Sequence, residues 1–337
     1  MIQILGSLMK HLLKKILFFI LFLTPFQILF ADPYIVVLKG TSRSGKSSIC
    51  KELQREDSSW YAVEEDVYLF ENYLKILSFY YPEESSVILQ AVGDENFAHA
   101  VVRGQICFKE AISESDKEKA LASIAYIQER LNNTDIANEI MRHSKKDLVW
   151  DVSEALKEGK NVIIDTPSPG LITAKAAKSL FPGYSIVSAL VYCSLPQTLK
   201  HLEDRNRYAE EVGDFSLKRY YRQVLIQFHN LFAITLMPKN ALFSEDTFVF
   251  HQTFEDLQKK VIPSWDVQDI TKFPRQEMNL LSLSEMEDKM FHYFPGLEKK
   301  TLYIAPREKY DVIINSVEGT PCESAAKLTA YLYGDQK

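Results

Sequence analysis

YIVVLKGTSRSGKSSICKELQR, residues 34–55, is the stretch that decides the fold. Tyr34 to Lys39 form a short β-branched run that reads as a buried strand. Gly40-Thr41-Ser42-Arg43-Ser44-Gly45-Lys46-Ser47 follows, and it fits G-x-x-x-x-G-K-[ST] at every fixed position. Ser48 to Arg55 then has helical spacing, with Ile49 and Leu53 on one face. Strand, glycine loop and helix in this order are what anion capture requires. Glycines let the backbone turn its N–H groups inward at phosphate oxygens, and the helix N-terminus adds a partial positive charge. The pattern assigns nucleotide contacts to Gly40, Thr41, Ser42, Arg43, Ser44, Gly45, Lys46, Ser47 and Ser48. Lys46 would reach the β- and γ-phosphates, and the Ser47 hydroxyl would ligate Mg²⁺.

Working outward, a second apolar strand, Trp60-Tyr61-Ala62-Val63, runs into Glu64-Glu65-Asp66-Val67-Tyr68. A carboxylate near the γ-phosphate can accept the proton of an attacking hydroxyl and orient it in line, and Asp66 is the choice, with Glu65 in reserve. A helical face over Asp147 to Lys157 closes at Gly159. The strand Asn161-Val162-Ile163-Ile164-Asp165 then ends on a carboxylate suited to hold the Mg²⁺ of a nucleotide, the alternative being a cap on the next helix. Thr166-Pro167 follow, without the water-activating glutamate of AAA or RecA-type motors, which favours transfer to a bound acceptor. An N-K-x-D base-reading motif and an L-S-G-G-Q signature are both missing from the sequence, which sets aside Ras-like GTPases and ABC-type ATPases.

Tyr184 to Cys193 reads as a further core strand and Leu195 to Arg207 as a helix ending in Asp204-Arg205-Asn206-Arg207. Another helix, Ser216 to Leu231, carries Lys218, Arg219 and Arg222. Guanidinium groups closing over a nucleotide offset charge on the transferring phosphoryl group, and Arg205 and Arg207 are the candidates. An ordinary charged helix face is the competing reading.

Composition bounds the rest. The chain has 337 residues, 46% apolar and 25% charged, a balance that excludes disordered and collagenous classes. Net charge is −6; the first 31 residues carry three lysines and no acid, so 36 basic and 45 acidic residues remain, a net −9. Such a body is a poor non-specific nucleic-acid binder, and no nucleic-acid partner is expected. Lys10, Lys14 and Lys15 lead into uncharged Ile16 to Ala31, which matches a secretory signal. The stretch falls short of the roughly 20 residues that span a bilayer. Residues 1–31 are therefore read as a signal peptide or an N-terminal anchor, which would give membrane contact through residues 10–31, a mis-set start or a buried core helix being the remaining reading. The body is exported or anchored, a cytoplasmic one being the alternative. Cys50, Cys107, Cys193 and Cys322 form no CxxC pair, and the seven histidines show no metal-ligand spacing, so no metal site of side chains alone is assigned.

These motifs together resemble the chloramphenicol phosphotransferase-like branch of P-loop kinases, which is similar to the zeta-toxin kinases. The resemblance rests on residues 35–53, EEDVY (64–68), LKEGKNVIIDTP (156–167), VYCSLPQTLKHLEDRNR (191–207) and KYDVIINSVEGTPCESAAKL (309–328). It implies Lys46 and Ser47 for phosphate and Mg²⁺, Asp66 for the substrate hydroxyl and Arg205 or Arg207 for the lid. It also implies that residues after the final strand pass near the adenine. The fold expected is a three-layer α/β P-loop NTPase of kinase type, with a mainly parallel five-stranded sheet near 34–39, 60–64, 161–165, 185–193 and 311–315.

The expected activity is ATP-dependent transfer of the γ-phosphate to a hydroxyl of a small molecule, with ATP and Mg²⁺ bound. A zeta-toxin-like kinase of a nucleotide-sugar is one alternative, and a non-catalytic nucleotide-binding effector is another. Residues 32–337 are read as one domain, with insertions at about 70–160 and 237–308 that the resemblance places over the acceptor or in the lid. The first reads as largely helical, with a polar break at Ser113 to Lys119. The second carries the turn signals Pro263-Ser264 and Pro295-Gly296. The cluster Phe79-Tyr80-Tyr81 reads as core packing before ring stacking.

Overall fold

The computed structural model describes residues 33–104, 106–131, 134–167, 170–212, 224, 227–228, 230–236, 248–250, 302–316 and 319–334. Residues 1–31, Lys218, Arg219, Arg222 and both turn signals of the second insertion lie outside them. The main sheet has the order β2-β3-β1-β4-β8. Its strands are β1 (Tyr34–Gly40), β2 (Trp60–Glu64), β3 (Asn161–Thr166), β4 (Ser185–Tyr192) and β8 (Val312–Asn315). All four pairings are parallel.

Why the sheet is central follows from β1. Ile35, Val36, Val37 and Leu38 are each at most 1% exposed, so both faces of the strand are covered. Side chains alternate across a strand. Val36 and Leu38 join one core with Ile49 and Leu53 of α1 (Lys46–Glu56) and with Leu328 and Leu332 of α9 (Pro321–Tyr333). Ile35 and Val37 join the other with Leu148 and Val152 of α6 (Thr134–Lys157) and with Ala177 of α7 (Ala174–Leu180). Helices therefore sandwich the sheet, which is the three-layer arrangement of a P-loop NTPase. Each fully buried aliphatic of β1 contributes about 1.5–3 kcal/mol.

Between β2 and β3 the chain runs through α2 (Glu65–Tyr80), α3 (Pro82–Val92), α4 (Asp94–Arg103), α5 (Glu114–Leu131) and α6. Their inner faces make a third core around Leu77, Ile88, Phe97, Ile127 and Ile140, all fully buried. The break among these helices is not at Ser113 to Lys119. Helix α4 stops at Gly104, whose φ of 66° is the left-handed cap glycine favours. Ser113 instead caps α5: its Oγ accepts from the Asp116 N–H at 3.2 Å, and the acidic residues that follow suit a helix N-terminus.

The aromatic cluster is also corrected. Phe79 is 78% exposed and Tyr80 45%, because three consecutive residues at a helix end point round the axis and cannot share one buried face. Tyr80 Oη donates to Glu139 Oε2 at 2.8 Å, and Tyr81 meets Tyr126 edge-on with ring centroids 6.0 Å apart.

Helix α8 (Leu195–Glu211) follows β4 and runs four residues beyond the expected Arg207. Among the described residues at and just before the second insertion lies a sheet that the sequence did not suggest. It joins β5 (Phe232–Leu236), β7 (Leu302–Pro306) and β6 (Phe248–Phe250), antiparallel at β5–β7 and parallel at β6–β7. The final helix α9 begins with a capping box between Thr320 and Glu323. No helix among the described residues is long and apolar enough to cross a membrane.

Phe97 is the largest side chain buried in the insertion core. Phe97→Ala is expected to lower unfolding free energy by about 3–5 kcal/mol, measured by urea denaturation followed by circular dichroism.

Candidate active site

The β1–β3 register aligns Leu38 with Asp165 and Lys39 with Thr166, so β3 delivers its carboxylate beside the start of the loop that follows β1. The carboxyl ends of parallel strands are where ligands of open α/β sheets bind. Ser47 Oγ donates to Asp165 Oδ2 at 2.7 Å. Lys46 Nζ stands 3.6 Å from Asp165 Oδ1 and donates to the carbonyls of Gly40 and Thr41 at 3.1 and 3.0 Å. Asp165 thus meets the loop and does not cap the next helix, whose N-cap is Thr173.

Gly40 and Gly45 are required by geometry. A Cβ on Gly40 would come 2.5 Å from Ser44 Oγ and 2.8 Å from the Val191 carbonyl, and Gly45 has φ of 95°. Arg43 also takes a positive φ of 72°, costly for a residue that carries a Cβ and tolerable only where neighbours enforce it.

The loop opens on a cavity of about 290 Å³. Ser42, Arg43, Gly45, Lys46, Ser47 and Ser48 line one side; Glu64, Asp66, Asp165, Pro167, Arg205 and Gln227 complete it. Gly40, Thr41 and Ser44 lie beneath the surface, the last two 1% exposed. Arg43 Nε and Ser44 Oγ are buried without a protein partner, a state that native polar groups rarely keep. An orphaned guanidinium N–H on Arg43 in a loop that also carries Lys46 fits an anion such as a polyphosphate. No group of three or more His, Cys, Asp or Glu side chains able to hold a metal occurs among the described residues. Ser47 and Asp165 are instead the sparse oxygen set that suits Mg²⁺ when phosphates and water supply the other ligands.

Asp66 reaches the cavity from the first turn of α2, 44% exposed, with Oδ2 accepting from Arg103 Nη2 at 3.1 Å. Glu65, the reserve candidate, is excluded by its position. It is fully buried, with Oε2 accepting from Thr166 Oγ1 at 2.8 Å and the Leu171 N–H at 2.7 Å, and Oε1 from the Ile172 N–H at 2.9 Å. Adjacent helix residues point about 100° apart, so only one of the pair can face the cavity. Arg205 lines the cavity, whereas Arg207 pairs with Asp204 at 2.5 Å on the outside, 66% exposed.

Three participants escape a reading of motifs. Glu64 is open to the cavity, yet partial desolvation and then the Asp165 charge push its carboxyl up. Its place at the end of β2 was the available signal. Gln227, 8% exposed, accepts the Ser42 N–H on Oε1 at 2.7 Å and so pins the loop from a residue 185 positions away. Arg103 is likewise visible only through its contact with Asp66. The turn after the last strand approaches the loop: Ser316 Cβ lies 3.8 Å from where a Cβ on Gly45 would stand.

The family model for chloramphenicol phosphotransferase-like proteins matches residues 33–220. No curated protein gives a significant match. Among solved structures, the chain is similar to TT1252 from Thermus thermophilus, at 15% identity and a TM-score of 0.29 over 54% of this chain and 77% of that one. It is similar to a chain of the PezAT chromosomal toxin-antitoxin system of Streptococcus pneumoniae, at 15% identity and 0.28 over 86% and 96%. A chain of the Pnkp1/Rnl/Hen1 RNA repair complex follows, at 12% identity and 0.28 over 90% and 86%.

Glu65 also sets a pH dependence. Burial outweighs its hydrogen bonds from Leu171, Thr166 and Ile172 and pushes its carboxyl from 4.5 up to about 7. Between those values the folded chain holds a proton that the unfolded chain releases. Its contribution is thus fully present below pH 4.5 and is lost as pH rises to about 7, by roughly 3 kcal/mol at most. Glu65→Gln is expected to flatten the fall in unfolding free energy between pH 5 and 7.5, whatever it does to the absolute value; urea titrations at each pH measure that slope.

Proposed function

Because the chain belongs to the chloramphenicol phosphotransferase-like family, we propose that it transfers the γ-phosphate of ATP to a hydroxyl of a small molecule. The observation that carries this reading is the convergence of Lys46, Ser47, Asp165 and Asp66 on one cavity at the carboxyl ends of the strands. Kinase chemistry asks a protein mainly for positioning and charge compensation, and these residues supply both.

Bound as its magnesium complex, ATP would supply the phosphoryl group, and the ion would offset part of the phosphate charge. The loop N–H groups and Lys46 hold the phosphate oxygens. Ser47 and Asp165 would hold the ion. Asp66 accepts the hydroxyl proton as the acceptor oxygen bonds to the γ-phosphorus and the bond to the β–γ bridging oxygen breaks, releasing ADP. Arg205, on the cavity wall, offsets charge that develops on the transferring group. Arg207 stands outside this set.

The test is a labelled-ATP transfer assay of the full chain against a protein-free metabolite extract, with products identified by mass spectrometry. A labelled, hydroxyl-phosphorylated compound is expected. Lys46→Ala is expected to abolish binding of a fluorescent ATP analogue. Asp66→Asn is expected to keep that binding and to slow transfer on the order of 10²–10⁴-fold. Transfer that survives Asp66→Asn unchanged removes Asp66 from the role of base.

A further inference from the structure

Arg103 is the last residue of α4 and belongs to the helical insertion, far from any phosphate-binding motif. Its direction is not free. Phe97, Ala100 and Val101 on the same helix are buried in the insertion core, which fixes the helix and leaves the Arg103 side chain pointing out of that core. The guanidinium carbon lies 4.7 Å from the centre of the Phe70 ring, and Nη1 is 3.4 Å from His99 Nδ1. The Phe70 and His99 rings contact each other, with centroids 4.7 Å apart. An aromatic face on one side and a ring nitrogen at one edge hold the planar group in a single orientation. Its remaining edge presents Nη2 to Asp66 Oδ2 at 3.1 Å.

The two partners are unequally buried. The Arg103 side chain is 12% exposed and that of Asp66 44%. The arginine is thus part of the scaffold, and the carboxylate is the partner that faces the cavity. An ion pair open on one side adds little to stability, so the contact is poorly explained as a structural brace. Fixing one oxygen of a short, rotatable side chain is a different matter, since misplacement of a reacting group by about 1 Å can cost 10²-fold in rate. Oδ2 is occupied by Arg103, and Oδ1 has no partner among the described residues.

We infer that Arg103 is a positioning residue for phosphoryl transfer: it anchors Asp66 through Oδ2 and leaves Oδ1 aimed at the acceptor hydroxyl. The inference rests on the proposed role of Asp66. It gives the helical insertion a direct hand in the chemistry, because the anchor is built on α4 while the base is built on α2. Arg103 touches neither nucleotide nor acceptor; it works through the carboxylate alone.

That restriction makes the inference testable without a known acceptor. Slow hydrolysis of ATP, with water in the acceptor's place, is measured for the wild type, Asp66→Asn, Arg103→Met, Arg103→Lys and the double variant Asp66→Asn/Arg103→Met. Arg103→Met is expected to slow hydrolysis at least tenfold while the Kd for a fluorescent ATP analogue stays within twofold. Arg103→Lys, which keeps the charge without the fork, is expected to fall between. In the Asp66→Asn background Arg103→Met is expected to change the rate by less than twofold, since its only route to the chemistry has gone.

A full Arg103→Met effect in that background overturns the inference, as does an unchanged rate for Arg103→Met beside a slow Asp66→Asn. An Asp66→Asn rate equal to wild type overturns the role of Asp66 itself, and the inference with it. Crystal structures of the wild type and of Arg103→Lys give a readout independent of turnover. The Asp66 carboxylate is expected to turn or to split between conformers in the variant, and one unchanged orientation overturns the inference.

Discussion

The parallel pairing of β1 with β3 is the constraint on which the rest of the structure depends. Lys46 and Ser47 come from one end of the chain's first βα unit and Asp165 from a strand 118 residues beyond Ser47, yet the register leaves Ser47 hydrogen-bonded and Lys46 ion-paired to that carboxylate. A slip of one residue in β3 would turn Asp165 toward the opposite helical layer and bring Ile164 to the loop. The apolar alternation of both strands forbids that slip, because it would reverse which residues enter each of the two cores. Hydrophobic patterning therefore specifies the charged site, although no apolar atom takes part in its chemistry.

The region after β3 extends the same logic. Glu65 gathers two backbone N–H groups and a hydroxyl from Thr166, Leu171 and Ile172, which ties the start of α2 to the chain beyond the sheet. Gly170 lies so close that any Cβ would overlap Thr166 Oγ1 and come 2.6 Å from Glu65 Oε2. Thr166 Oγ1 also contacts the Pro167 carbonyl at 3.1 Å, so a protonated Glu65 could donate to Thr166 while Thr166 donates onward. Both protonation states of the carboxyl then find partners, which explains how a charged residue type occupies a fully buried position. Asp66, the next residue, inherits a backbone fixed by this cluster.

The sequence was legible where local chemistry decides the outcome. All five strands of the main sheet are short apolar runs, and each lies within a residue or two of its expected bounds. The loop was legible because its glycines and Lys46 are adjacent in the chain. Legibility ended where partners are remote. Arg103 meets Asp66 across 37 positions and Gln227 meets Ser42 across 185, and neither arginine nor glutamine announces such a role by its neighbours. The run Ser113 to Lys119 shows why polarity alone is ambiguous: a polar segment suits both a break and a helix's first turn, and Gly104 is the better sign of where the helices part. Arg205 and Arg207 looked equivalent in sequence; two positions along a helix is half a turn, which sends one to the cavity and the other to solvent.

The sheet order carries a consequence for biosynthesis. β1, the central strand, leaves the ribosome long before either neighbour, and β3 follows only after the whole helical insertion. At about 5–20 residues per second, the apolar run Ile35 to Leu38 waits roughly 6–25 s without its partners. A buried β-branched segment left open for that long is the kind that pairs with other chains. The insertion helices make mostly local contacts and can form during the delay, whereas the sheet cannot. The segment that brings Arg103 to Asp66 is thus also the one that prolongs the interval in which β1 stands without its partners.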